Sequence, residues 1–123
     1  MNLLSIAALG VLGILARYGI DQLVVGRATS LFPWATFAVN ISGSALAGAL
    51  FALTSHGKIP PPLSTALLVG FCGGFTTFSA YSVQTMSLFE RGQISLSLIY
   101  VVLSPALGVL AAFAGAALAK GMP

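Results

Sequence analysis

The chain has 123 residues, of which 58% are apolar and only 6% are charged, and its mean hydropathy is +1.03. About a quarter of the residues in soluble globular domains are charged, so this composition excludes a soluble fold and predicts a membrane protein. The net charge of +3 comes from basic residues scattered along the chain, which excludes a concentrated nucleic-acid-binding surface.

Four apolar stretches are long enough to cross a bilayer, because a membrane helix needs about 20 mostly apolar residues. We predict these spans at 3–20, 34–54, 63–89 and 94–119, joined by short connections that contain Pro and Gly. The sequence therefore predicts one all-α transmembrane domain over residues 1–123, with no room for a soluble catalytic domain.

Span two carries a polar stripe at Thr36, Asn40 and Ser44, spaced i, i+4, i+8 on one helix face. A hydroxyl in a membrane helix usually bonds back to its own helix. An amide cannot be satisfied by such local bonding alone, so Asn40 is predicted either to join helices or to contact a ligand.

Span three is predicted to break at about residues 73–77, within the segment G-F-C-G-G-F-T-T-F-S-A-Y-S at 70–82. Two adjacent glycines and a hydroxyl cluster interrupt the apolar helix there. Backbone groups freed inside hydrocarbon are costly, so a broken helix is found where it is buried in protein or lines an ion path. We therefore predict that this segment is functional.

Span four presents Ser97, Tyr100 and Ser104 along one face, while the two acidic residues of the chain, Asp21 and Glu90, fall at span ends. A cation or proton path normally uses a carboxylate within the membrane. Amides, hydroxyls and the positive edges of aromatic rings remain as donors. This inventory predicts a path for a small anion.

Basic residues in short loops orient a membrane protein, because they favour the cytoplasmic side. Lys58 and Lys120 would lie on one side of the membrane, and Arg27 and Arg91 on the other, with Arg17 near the same end of span one. Since this count is nearly balanced, we predict insertion in both orientations and an antiparallel homodimer. A single orientation fixed by a partner is the alternative.

Small residues four positions apart allow membrane helices to approach closely. Such pairs occur at Gly43 and Ala47, at Gly108 and Ala112, and at Ala111 and Gly115. The pattern predicts either packing within one subunit or a seam between subunits.

The segment G-F-C-G-G-F-T-T-F-S-A-Y at 70–81 resembles the signature of the Fluc (CrcB) family of fluoride ion channels. The resemblance covers the whole chain and includes Arg17, V-N-I-S-G at 39–43, the Arg91-Gly92 turn, and Tyr100 with Ser104. It implies a passive, fluoride-selective channel in the bacterial inner membrane that lowers cytoplasmic fluoride.

The resemblance also implies an antiparallel, dual-topology homodimer with two fluoride pores and a structural sodium ion at the dimer interface. The backbone carbonyls of Gly73 and Thr76 from both subunits would bind the sodium, since hard cations prefer oxygen ligands. From the residues alone, a glycine hinge without a metal is the alternative.

The same resemblance implies a set of pore residues: Thr36, Asn40, Phe78, Tyr81, Tyr100 and Ser104. Phe78 and Tyr81 would turn their ring edges to the anion, although their spacing alone fits core packing. Arg17 would attract anions at a vestibule, or would only extend to the membrane surface.

Four positions depart from the family pattern: Tyr81 for the usual Phe, Ala80 for a frequent Thr or Ser, Gln84 for a common Glu, and Gly108 for a serine found in some members. Each is predicted to change rate before selectivity. We predict that Tyr81→Phe still conducts and that Asn40→Asp does not.

Two other functional classes remain open from the residues. A small multidrug transporter has four short spans, but it needs a membrane carboxylate in span one, where this chain has Arg17. A structural membrane subunit would use the polar stripes only for packing. An enzyme is not predicted, because the sequence offers no metal-ligand cluster or nucleophile–base pair and His56 is a lone loop residue.

Overall fold

The computed structural model describes residues 3–25 and 30–121, which leaves Arg27 outside the described residues. Four helical segments are long and apolar enough to cross a membrane: Leu3–Val25, Trp34–Ser55, Pro61–Glu90 and Ile94–Lys120. We call the first two α1 and α2, and the last α6. The prediction of an all-α chain with four membrane-length helices is confirmed.

The third segment is interrupted, as predicted. It consists of α3 (Pro61–Thr65), a π-helix (Ala66–Cys72), the single turn α4 (Gly73–Phe75) and α5 (Phe78–Glu90). Between α4 and α5, Thr76 and Thr77 are extended, with φ/ψ of −81°/160° and −150°/115°. We call Thr76 and Thr77 the break. The π-helix was not predicted, because its wider i→i+5 turns have no recognisable sequence pattern.

Glycine shapes the last two connections between spans. Gly57 and Gly92 have φ values of +68° and +75°, which side chains with a Cβ rarely adopt. Pro61 then opens α3 at a position where a missing N–H costs nothing. These turns bring α2 beside the third segment, and α5 beside α6.

The main packing seam joins α2 to α6 through small residues. A Cβ added to Gly48 would overlap the backbone of Ala112, and a Cβ added to Gly115 would overlap the backbone of Ala45. Gly43 lies against side-chain atoms of Thr76 and Phe75 instead. Of the small residues singled out from the sequence, Gly43, Ala112 and Gly115 therefore pack within one subunit.

A second glycine seam joins α1 to the first half of the third segment. An added Cβ at Gly70 would lie 2.6 Å from the carbonyl oxygen of Ile6, and one at Gly13 would overlap Phe71. Gly13 is also the one buried residue of α1. Most side chains of α1 consequently face outward, toward lipid or a partner.

Candidate functional site

A cavity of about 390 Å³ lies where α2, the break, α5 and α6 meet, and we call it the aromatic cavity. Its lining residues are Asn40, Ser44, Thr76, Thr77, Phe78, Tyr81, Ser104, Pro105, Gly108, Val109 and Ala112. The structure thus brings together four of the predicted pore residues, Asn40, Phe78, Tyr81 and Ser104. It adds Thr76, one of the two predicted sodium ligands.

Asn40 on α2 pairs with the backbone of the break. Its Nδ2 donates to the Thr77 carbonyl oxygen over 3.1 Å, and the Thr77 N–H donates to its Oδ1 over 2.8 Å. The amide therefore satisfies both backbone groups of one extended residue inside the membrane. Because Nδ2 carries two hydrogens, one N–H of Asn40 is left over from this pair.

The break also frees two backbone carbonyls. In a continuous α-helix the N–H of Thr77 would bond to the Gly73 carbonyl, and the N–H of Ala80 to the Thr76 carbonyl. Here the Thr77 N–H goes to Asn40, and the Ala80 N–H goes to the Thr77 hydroxyl, which caps α5 over 3.2 Å. Gly73 is exposed and Thr76 half-buried, so both carbonyls have lost their helical donor near the surface.

Arg17 reaches the same region from α1. Its Nε donates to the carbonyl oxygen of Gly74 over 3.2 Å, so the guanidinium holds the residues just before the break. Arg17 also lines a second cavity of about 270 Å³, together with Asp21, Thr77 and Gln84, which we call the arginine cavity. The side chain is half-buried.

A third cavity of about 320 Å³, which we call the loop cavity, lies near the end of α1 and is lined in part by Asp21, Gln84 and Arg91. Adjacent cavities share parts of their walls. Thr77 lines both the aromatic and the arginine cavity, while Asp21, Thr36 and Gln84 line both the arginine and the loop cavity. The three cavities therefore lie next to one another.

The two aromatic residues that line the aromatic cavity, Phe78 and Tyr81, differ in exposure. Their ring centroids lie 5.4 Å apart at a tilt of 41°. Phe78 is 78% exposed although it lines the cavity, so this part of the wall faces outward from the single chain. Tyr81 is half-buried, and its hydroxyl donates to the Val101 carbonyl oxygen over 3.0 Å.

Thr36 and Tyr100 lie away from the aromatic cavity and are joined through Gln84. The Tyr100 hydroxyl donates to Gln84 Oε1 over 3.0 Å, and Gln84 Nε2 donates to the Thr36 hydroxyl oxygen over 2.8 Å. Tyr100 is completely buried and lines none of the three cavities, whereas Thr36 lines the arginine and loop cavities. The structure thus places these two predicted pore residues outside the lining of the aromatic cavity, although the ring centroids of Tyr100 and Tyr81 lie 5.1 Å apart.

Sequence reasoning missed the parts played by Gln84, Thr77 and Val101. Gln84 was noticed only as a departure from a family pattern, yet it bridges two helices. No local signal marks Val101. Pro105, four residues later, could have drawn attention to it, because a proline within a helix deprives the carbonyl four residues earlier of its donor.

Comparison with known proteins identifies the family of this chain. The family model described as CrcB-like protein, Camphor Resistance (CrcB), matches residues 4–116. A protein of Paracoccus denitrificans named fluoride-specific ion channel FluC is 44% identical over 119 residues, covering 97% of this chain and 94% of the relative. Proteins of the same name from Acidithiobacillus ferrooxidans and Thermus thermophilus are 45% and 41% identical over 112 residues. These matches cover 90% and 91% of this chain, respectively, and 90% of each relative.

Proposed function

The chain belongs to the family of CrcB-like proteins, and we propose that it is a fluoride-specific ion channel, the function for which its relatives are named. It is a multi-pass protein of the bacterial inner membrane that lets fluoride leave the cytoplasm passively. The observation that carries this proposal is the aromatic cavity, which is lined by an amide, hydroxyls and aromatic rings. Neither acidic residue of the chain, Asp21 or Glu90, lines it.

The chemistry of the cavity fits a dehydrated anion. Moving an unpaired ion into a low-dielectric interior costs on the order of 20 kcal/mol by a Born estimate, so water must be replaced by successive donors. Asn40 can donate its second amide N–H to the anion, and Ser104 can donate its hydroxyl. Phe78 and Tyr81 can present the positive edges of their rings. Arg17 in the neighbouring cavity adds a positive charge that would draw anions toward the break.

The functional unit in this proposal is an antiparallel, dual-topology homodimer. Phe78 lines the cavity yet is 78% exposed, so a second copy would supply the missing wall. The outward-facing side chains of α1 leave further apolar surface for such a contact. The nearly balanced count of basic residues on the two sides favours insertion in both orientations.

The carbonyls of Gly73 and Thr76 would hold a structural sodium ion between the two copies. The donor set fits the ion, because both oxygens have lost their helical N–H partner and hard cations prefer such ligands. Bound sodium would neutralise the facing carbonyl dipoles and tie the two breaks together. Sodium, compared with potassium, is expected to raise the melting temperature of the purified dimer.

Anion efflux from liposomes tests the channel directly. The protein is purified with sodium present throughout and placed in vesicles loaded with potassium fluoride or potassium chloride. A potassium ionophore clamps the membrane potential of the vesicles. We expect rapid loss of fluoride and no loss of chloride. Phe78→Ala should slow the efflux, whereas the matched control Phe89→Ala should not, since Phe89 is an exposed α5 phenylalanine outside the cavity.

The same assay separates the competing functions. Absence of efflux from a folded, sodium-supplied dimer would refute the proposal and favour a structural subunit. Proton-driven uptake of a cationic dye without fluoride efflux would instead favour a small multidrug transporter.

Orientation can be tested with one introduced thiol. Cys72 is buried and is removed by Cys72→Ala, and Gln93→Cys then places a reactive group in the exposed turn before α6. An impermeant maleimide applied to intact cells should label about half of the chains if both orientations occur. Labelling of all or none of them would contradict dual topology.

A further inference from the structure

Pro105 interrupts the hydrogen-bond ladder of α6 beside the aromatic cavity. In a regular α-helix the Val101 carbonyl would accept from the N–H of residue 105. Proline has no N–H, so this carbonyl oxygen is left without its helical donor. Hydrocarbon offers no replacement donor, so a polar group of the protein that reaches this oxygen stabilises it.

The donor is the phenol of Tyr81. Its hydroxyl lies 3.0 Å from the Val101 oxygen and reaches it from α5, twenty residues earlier in the chain. Tyr81 and Pro105 both line the aromatic cavity. The residue that frees the carbonyl and the residue that satisfies it therefore meet at the same wall.

This contact fixes the position of the Tyr81 ring. The ring centroid lies 5.4 Å from that of Phe78 and 5.1 Å from that of Tyr100, so the tyrosine sits between two aromatic neighbours. A phenylalanine in its place would keep these ring contacts. It would lose the one polar tether, because the Val101 oxygen would then have neither donor.

We propose that Pro105 is a positioning residue for Tyr81: the carbonyl it frees at Val101 anchors the phenol and holds the ring at the wall of the aromatic cavity. The hydroxyl donor is used by this anchor, so Tyr81 turns its ring edge, and not its O–H, toward a permeating anion. The role of the ring toward an anion rests on the proposed fluoride channel, whereas the hydrogen bond between Tyr81 and Val101 does not.

The anchor can be observed without any measurement of transport. Valine labelled with 13C at the carbonyl and 15N at the amide gives an HNCO signal only where two valines are adjacent, at 24–25 and at 101–102. Val25→Leu removes the first signal and so assigns the second to the Val101 carbonyl. The sodium-supplied, full-length protein in detergent micelles is the sample.

We expect Tyr81→Phe to move the Val101 carbonyl resonance upfield, because a carbonyl carbon becomes more shielded when its hydrogen bond is lost. Tyr18→Phe is the matched control, since this tyrosine is 62% exposed and its hydroxyl has no hydrogen bond among the described residues. Adding Pro105→Ala to Tyr81→Phe restores an N–H and should return the resonance toward its original position. An unchanged Val101 resonance in Tyr81→Phe would overturn the anchor.

Fluoride efflux from liposomes then tests positioning through the same double-mutant cycle. With Pro105 in place, Tyr81→Phe should still conduct fluoride but about twofold or more slowly, the lower end expected for directly coupled residues. In protein that already carries Pro105→Ala, the same substitution should slow efflux less, because the Val101 carbonyl then has its helical donor as well. Equal effects in both backgrounds would refute the positioning role.

The two readouts distinguish the two proposals. If the Val101 resonance responds as expected but the wild-type protein conducts no fluoride, the proposed function fails and the anchor stands. The wild-type protein could instead conduct fluoride selectively, while Tyr81→Phe leaves the Val101 resonance unchanged and slows efflux equally with and without Pro105→Ala. In that case the proposed function stands and the anchor fails.

Discussion

Replacing Asn40 separates two roles of its amide, the pairing with the break and the contact with an anion. Asn40→Leu removes both hydrogen bonds to Thr77, while Asn40→Asp keeps an acceptor for the Thr77 N–H, which the structure places 2.8 Å from Oδ1. A carboxylate cannot serve as the donor to the Thr77 carbonyl. If backbone pairing alone mattered, the aspartate variant would therefore conduct better than the leucine variant.

Electrostatics predicts the opposite order. Loss of a donor to an ion removes about 1.5–3 kcal/mol, so Asn40→Leu should slow fluoride efflux by roughly 10- to 100-fold. A carboxylate about 4 Å from the anion adds a repulsion of about 4 kcal/mol at an effective dielectric of about 20, which is a further factor of about a thousand. We expect efflux to fall from wild type to Asn40→Leu to Asn40→Asp.

The measurement is fluoride efflux from liposomes at neutral pH, made on protein that elutes as a folded dimer. Efflux through Asn40→Asp as fast as through Asn40→Leu would refute the assigned anion contact and leave Asn40 only its pairing with Thr77. Robust efflux through both would remove the amide from the path altogether.

Two further predictions concern packing and the buried polar chain, and both are checked by the melting temperature of the purified protein. Gly48→Ala should destabilise the α2–α6 seam by about 1–3 kcal/mol, because its Cβ would overlap backbone. The control Gly19→Ala should not lower the melting temperature, because no atom lies within 4 Å of the added Cβ. Equal melting temperatures for the two variants would contradict the seam. Gln84→Leu should cost about 1–3 kcal/mol by leaving the buried Tyr100 hydroxyl without its acceptor, whereas Gln84→Glu keeps an acceptor for Tyr100. A leucine variant as stable as the glutamate variant would count against this chain of hydrogen bonds.

Composition and local pattern were sufficient for several features. The apolar stretches predicted four membrane helices because hydrocarbon thickness fixes their length. The glycine pair and hydroxyl cluster at 73–77 predicted the break, which the structure has at Thr76 and Thr77. Asn40 stood out because an amide in a membrane needs partners from elsewhere, and it indeed pairs with a distant residue.

Contacts between distant segments were not predictable in the same way. Helical periodicity put Thr36, Asn40 and Ser44 on one stripe, but α2 is long enough for the stripe to serve two sites. Asn40 lines the aromatic cavity, while Thr36 bonds to Gln84 beside the arginine and loop cavities. The stripe predicted a common face and could not predict which neighbouring helix each position meets.

The sequence by itself determined that this is a membrane protein with four membrane-length helices and a broken third span, and that its two acidic residues, Asp21 and Glu90, lie toward the ends of those helices. These properties depend on hydropathy, residue type and short-range backbone preference, all of which act within one or two helical turns. Only the tertiary structure decided that the Gly73 and Thr76 carbonyls both lose their helical donors. It also decided that the Tyr81 hydroxyl donates to the Val101 carbonyl, which Pro105 leaves without a helical donor. Those outcomes depend on which partner comes within hydrogen-bond distance in the folded chain, because a freed backbone group finds no replacement partner in hydrocarbon.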